Sequence, residues 1–131
     1  MHPELGHLLS SLGHTDYFTV CDKGFPVPVG PQRIDLALVD DIPTVLDVVR
    51  AVNAEWTIDR VIIASEAIEF SNQFFQDLQA ALPGVPVETV SHLELKQLAR
   101  ESRGTVRTYA RESQTWGASL TSESAEPVEA P

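Results

Sequence analysis

Basic residues are scarce in this chain: nine Lys and Arg stand against nineteen Asp and Glu in 131 residues, a formal charge of −10. A surface of that sign repels phosphate backbones and leaves no basic patch of the kind nucleic acids need, which sets DNA and RNA aside as partners. Cysteine is limited to Cys21. It has no intramolecular disulfide partner, and its place inside an apolar run reads as a small buried hydrophobe in a reducing compartment. No apolar stretch approaches the ~18 residues of a membrane span, and the N-terminus lacks the basic-then-apolar order of a secretory leader. The expectation is a soluble, cytoplasmic protein with no membrane partner. No Gly-rich loop that would cradle phosphate follows any predicted strand, and Ser10, Ser11 and Ser65 lack the Gly-flanked elbow of a hydrolase nucleophile. His2 and His7, five apart, have no cysteine or carboxylate at metal-ligand spacing. Neither a metal nor a cofactor is expected.

What is present is a core. An apolar content of 43% in 131 residues suits one domain. After Pro3, Leu5, Leu8, Leu9 and Leu12 trace one helical face, and Gly13 is placed to end the helix. Tyr17 to Cys21 is too short an apolar run for a helix between Gly13 and Gly24, so it reads as a buried strand. A Pro-rich loop over 24–31, a strand over 34–39 and a helix over 43–53 follow, then a strand over 60–64 and a helix over 72–82 that stops at Pro83-Gly84. Val85 to Val90 is strand-like, Ser91 with Glu94 fits a capping box for a helix over 92–102, and Thr105 to Tyr109 reads as another strand. Strands alternating with helices in this way predict a single α/β domain over 1–120, a three-layer sandwich with a mostly parallel sheet and helices on both faces. The segment 121–131 offers almost nothing apolar and reads as a disordered acidic tail. No internal repeat is visible.

His14 and Asp22 bracket the first strand. Strand ends that lead into Gly/Pro loops are where open α/β sheets place ligand groups, and imidazole is the side chain best suited to proton exchange near neutral pH. A helix-exit histidine bonded only to backbone is the alternative. Asp16 and Asp22 are candidates to orient an imidazole or bind hydroxyls, beside the stiff loop made by Gly24, Pro26 and Pro28. His92 falls in the first turn of a helix directly after a strand, where the helix dipole disfavours the imidazolium; a solvated or capping histidine is the other reading. Lys96 lies four residues on, on the same helical face, with plain solvation as its alternative. Arg33 and Asp35 are suited to pairing across subunits or orienting a loop.

From Pro3 to Lys96 the chain resembles the D-ribose pyranase and L-fucose mutarotase family. The resemblance rests on Pro-Glu-Leu at 3–5, Leu-Gly-His-Thr-Asp at 12–16, Cys-Asp-x-Gly-x-Pro-x-Pro at 21–28, Arg-Ile-Asp-Leu-Ala-Leu at 33–38, and Val-Ser-His with Lys96 at 90–96. It implies a sugar ring-form isomerase that assembles into a ring-shaped homo-oligomer, a pentamer-based decamer, with sites at subunit contacts. By the same resemblance His14 matches the catalytic histidine, Asp22 the sugar-binding aspartate, and His92 and Lys96 a later binding pair. The family's Gly-Glu-Phe-Thr-Pro-Tyr-Ala-Asn run becomes Arg-Glu-Ser-Gln-Thr-Trp-Gly-Ala over 111–118. Its Tyr and Asn positions are therefore Trp116 and Ala118, which remove two polar contacts to a sugar. The expected function is cofactor-independent interconversion of pyranose and furanose, or anomeric, forms of a small aldose, D-ribose first, by general acid/base ring opening. The alternative is a catalytically impaired homologue that serves as a sugar-binding or assembly module.

Overall fold

A computed structural model of the chain describes residues 1–13, 16–56, 58–110 and the backbone of 118–121. Among these, helix α1 (Pro3–Ser10) leads into strand β1 (Tyr17–Cys21), β2 (Gln32–Leu36), α2 (Val45–Glu55) and β3 (Arg60–Ala64). Helices α3 (Ser65–Phe70) and α4 (Asn72–Ala81), strand β4 (Val87–Val90), helix α5 (His92–Glu101) and strands β5 (Gly104–Thr108) and β6 (Ala118–Thr121) complete the order. The strands form one sheet in the order β2-β5-β1-β6-β3-β4. Only β6 runs against its neighbours: β2, β5 and β1 are mutually parallel, β3 and β4 are parallel, and β6 is antiparallel to both β1 and β3. Because β1 and β3 both oppose β6, all five remaining strands point one way and their carboxyl ends share one edge of the sheet.

The core explains the expected sandwich. Val20, Cys21, Val61, Ile63, Thr105 and Val106 are fully buried, so adjacent residues that face opposite sides of the sheet are both covered. Helix α1 approaches β5 so closely that a Cβ at Gly104 would lie 2.8 Å from both methyls of Leu8 and 3.1 Å from the Gln32 carbonyl, which is why glycine opens β5. Helix α2 starts on a full capping box, with Thr44 and Asp47 each accepting the other's backbone N–H at 3.1 and 2.9 Å.

Some boundaries differ from the sequence reading. Strand β2 ends at Leu36, because the chain then folds back in a turn where Leu38 N–H bonds the Ile42 carbonyl at 2.9 Å and Asp41 takes φ 65°. Leu38 and Val39 looked like strand interior yet are 80% and 56% exposed. Strand β4 begins at Val87, since Pro86 has no N–H to give the ladder and contributes only its carbonyl, to Val61 at 3.0 Å. Helix α3 went unread: it buries only Ala67, and six residues are too few to show a periodic stripe. Ser71 closes α3 and caps α4, its hydroxyl accepting from Phe74 N–H at 3.2 Å. Strand β6 extends through Thr121, which pairs in register with Tyr17 and Arg60.

Candidate functional site

Chain segments leaving β1, β3 and β4 emerge at the shared carboxyl edge, and each brings a polar group. Asp22 directly follows β1 and is 2% exposed. Its Oδ1 accepts the N–H groups of Gly24 at 3.0 Å and Phe25 at 3.1 Å, closing the Gly/Pro loop over the carboxylate. Burial pushes this carboxyl up to about 6, against the pull of those amides and of the Arg107 charge. Asp22 therefore exchanges its proton close to neutral pH.

Phe25 joins this loop to α5. Its amide serves Asp22 while its ring meets the His92 imidazole edge to face, centroids 6.4 Å apart at 87°. His92 opens α5, and its backbone N–H donates to both oxygens of Glu66, from the first turn of α3. The expected cap on α5 takes a variant form: Ser91 Oγ accepts Glu94 N–H at 3.1 Å and donates to Glu94 Oε1 at 3.3 Å. Burial holds the His92 imidazole below its ordinary pKa, the Lys96 charge adds to that, and Glu66 opposes it. A neutral imidazole both donates and accepts hydrogen bonds. Lys96 is half-buried one turn further along α5, and its charge acts on the His92 imidazole.

Glu66 was missed by sequence reasoning. The available signal was its place, the second residue after a buried parallel strand, where open α/β sheets put ligand groups.

The remaining candidates divide between the two edges of the sheet. His14 and Trp116 lie outside the described residues. Gly13 and Asp16, which flank positions 14 and 15, are tied by Gly13 N–H to Asp16 Oδ2 at 2.8 Å, and Arg103 Nε lies 3.8 Å from the same oxygen. Asp16 and Arg103 precede β1 and β5, so their contact sits at the amino edge, a strand's length of about 13 Å from the end that carries Asp22. The two carboxylates thus do not act side by side on one imidazole of the same chain. Ala118 has its backbone at the carboxyl edge, in register with Val20 and Ile63. Arg33 and Asp35 pair with each other at 3.1 Å on one face of β2.

A separate apolar cavity of about 370 Å³, lined by Met1, Leu5, Leu36, Val48 and Ala51 among others, lies between α1 and α2 and shares no residue with the Asp22–His92 group. Among the described residues no three His, Cys, Asp or Glu side chains gather as a metal ion would need, and no helix is long and apolar enough to cross a membrane.

Known proteins match this arrangement along most of its length. The chain is 41% identical over 108 residues to a D-ribose pyranase of Paracidovorax citrulli, covering 82% of each chain. It is 40% identical over 116 residues to a D-ribose pyranase of Aliivibrio fischeri, covering 82% of this chain and 84% of the other. Bacillus subtilis RbsD, solved in complex with D-ribose, superposes with a TM-score of 0.87 at 28% identity over 93% of this chain and 92% of that one. FucU from Bifidobacterium longum shares the fold, with a TM-score of 0.69 at 12% identity over 93% of this chain and 94% of that one. The family model described as the RbsD / FucU transport protein family matches residues 1–118, and the chain belongs to that family.

Proposed function

We propose that this protein is a cofactor-independent isomerase that interconverts the pyranose and furanose forms of D-ribose. The observation that carries the reading is the match over 93% of the chain to an RbsD structure that holds D-ribose. The reaction needs only proton transfers: one group protonates the ring oxygen while another accepts the anomeric hydroxyl proton, and the open aldehyde recloses through a different hydroxyl. His14 is the proton donor in this proposal. Asp22, His92 and Lys96 hold sugar hydroxyls, with the backbone of Ala118 and residue Trp116 completing the pocket. An Asp22 carboxyl at about 6 and a His92 imidazole held neutral give this edge groups that donate as well as accept near neutral pH.

The proposal includes a ring-shaped homo-oligomer, pentamer-based as in the resemblance, in the cytoplasm. The geometry supports sites at subunit contacts. Gly13 and Asp16 are tied at the edge opposite Asp22, a strand's length of about 13 Å away. In this proposal His14 of a neighbouring copy joins Asp22. Mixing His14→Ala with Asp22→Asn protein would then restore activity that neither variant has alone. The domain proposed over 1–120 carries all of this, and 121–131 is proposed as an acidic tail, with the backbone pairing of Thr121 counted in the sheet.

A second reading, a sugar-binding or assembly module with impaired catalysis, draws support from Ala118, whose side chain carries no polar group where the resemblance has an asparagine. Saturation-transfer NMR on equilibrated D-ribose and other aldoses separates the two. Accelerated exchange between pyranose and furanose resonances supports the isomerase; rates equal to those of protein-free sugar, with ribose still bound, favour the module.

A further inference from the structure

The backbone on either side of Asp22 is fastened to β5 by side chains with no part in the site so far. Thr108 Oγ1 donates to the Cys21 carbonyl at 3.1 Å, just before Asp22, and accepts Ala110 N–H at 3.3 Å. Arg107 Nη2 donates to the Lys23 carbonyl at 3.0 Å, just after it, and Lys23 N–H returns to the Ala110 carbonyl at 3.1 Å. The guanidinium is itself located on both sides: it lies 4.9 Å over the Tyr109 ring, and Nη1 is 4.0 Å from Asp35. Among the described residues its buried Nε has no hydrogen-bond partner, and the fork is held by its ends and by the ring.

We propose that Arg107 and Thr108 are positioning residues for Asp22, fixing the strand exit so that its carboxylate meets the sugar in one orientation. This rests on the isomerase reading above. A fastening that merely held the sheet together would need no charge. Arg107, bonded to the carbonyl that follows Asp22, also brings a positive charge that favours the carboxylate, adding to the larger pull of the backbone amides. Other ionisable groups near this strand exit have partners or are uncharged. Lys23 is paired with Asp40 at 3.2 Å, Arg33 with Asp35, and the Cys21 thiol, pushed up to about 12 by burial, is neutral. The His92 imidazole, held below its ordinary pKa mainly by burial, packs edge to face on the Phe25 ring.

The test uses the full chain and two readouts: the Asp22 carboxyl titration followed by 13C NMR, assigned with Asp22→Asn, and the concentration dependence of D-ribose exchange. Arg107→Met is expected to move the Asp22 midpoint to higher pH and to raise KM about tenfold while kcat falls by less than about threefold. Arg107→Lys, which keeps the charge, returns the midpoint toward the parent's. Thr108→Val, which deletes only the hydroxyl, raises KM about threefold, and Thr108→Ser restores it. If Arg107→Met does not fold, the Val and Ser pair decides alone. The proposal is overturned if folded Arg107→Met and Thr108→Val keep the parent's Asp22 midpoint and KM, whatever happens to their melting temperatures. A parent with no ribose exchange overturns the isomerase reading instead, and the Asp22 midpoint then decides the positioning claim by itself.

Discussion

The backbone N–H of His92 points between the two carboxylate oxygens of Glu66, at 3.1 and 3.2 Å, so a side chain from the exit of β3 caps the helix that follows β4. Hydrogen bonds from its own backbone N–H and then from that of His92 hold the Glu66 carboxyl below the ordinary glutamate value. Its contribution to stability is present above the unfolded value of 4.5 and is lost as the pH falls through the lower folded value. Glu66→Ala should lower the melting temperature at pH 7, and the difference from the parent should shrink below pH 4.5. Equal destabilisation at all pH values would contradict the cap.

Asp22 behaves in the opposite sense. Its folded carboxyl, at about 6, lies above the unfolded 3.8, so the folded state holds the proton more tightly and the chain loses stability as the pH rises between those values. Asparagine is uncharged throughout and keeps an oxygen for the Gly24 and Phe25 amides. Asp22→Asn should match the parent's stability near pH 4 and exceed it by about 2 kcal/mol at pH 7, measured by urea unfolding. The same variant should lose ribose exchange, which marks the carboxylate as kept for function at a cost to stability.

Lys96 bears on His92 through its charge. Removing that charge in Lys96→Met should raise the His92 imidazole midpoint, followed by NMR of its ring carbons. An unchanged or lower midpoint would place the ammonium too far from the ring to serve the same pocket.

Much of the sheet was legible because its signals are local. Tyr17–Cys21 and Arg60–Ala64 are short apolar runs bounded by breakers, and both strands fall where the sequence places them. The Leu5, Leu8, Leu9 face of α1 is buried as its spacing implies. What escaped depends on partners distant in sequence. Leu38 and Val39 have strand composition, but nothing local says that the ladder with β5 ends at Leu36. The pairing of Glu66 with His92 spans 26 positions and joins α3, which had no periodicity to find, to α5. Asp22 and His92 were legible as residues, from the Gly/Pro loop and the strand-to-helix junction; the Phe25 ring that brings them to one place was not.

Substitutions at Trp116 and Ala118 test the enzyme reading against the scaffold reading. Restoring a phenol and an amide with Trp116→Tyr and Ala118→Asn supplies groups that both donate and accept. If the parent is active, it has built its pocket around the indole, whose flat face packs on the C–H surface of a sugar, and the double variant should gain little or lose rate. A silent parent rescued by the double variant would favour the scaffold.

The central claim is that the chain opens the ribose ring through His14. Its most direct test is magnetisation transfer between the pyranose and furanose signals of D-ribose near pH 7, comparing the parent with folded His14→Ala. The account predicts exchange well above the protein-free rate for the parent and a loss of at least about a hundredfold in the variant, the contribution of a general acid. Exchange within twofold of the parent in a folded His14→Ala would contradict it.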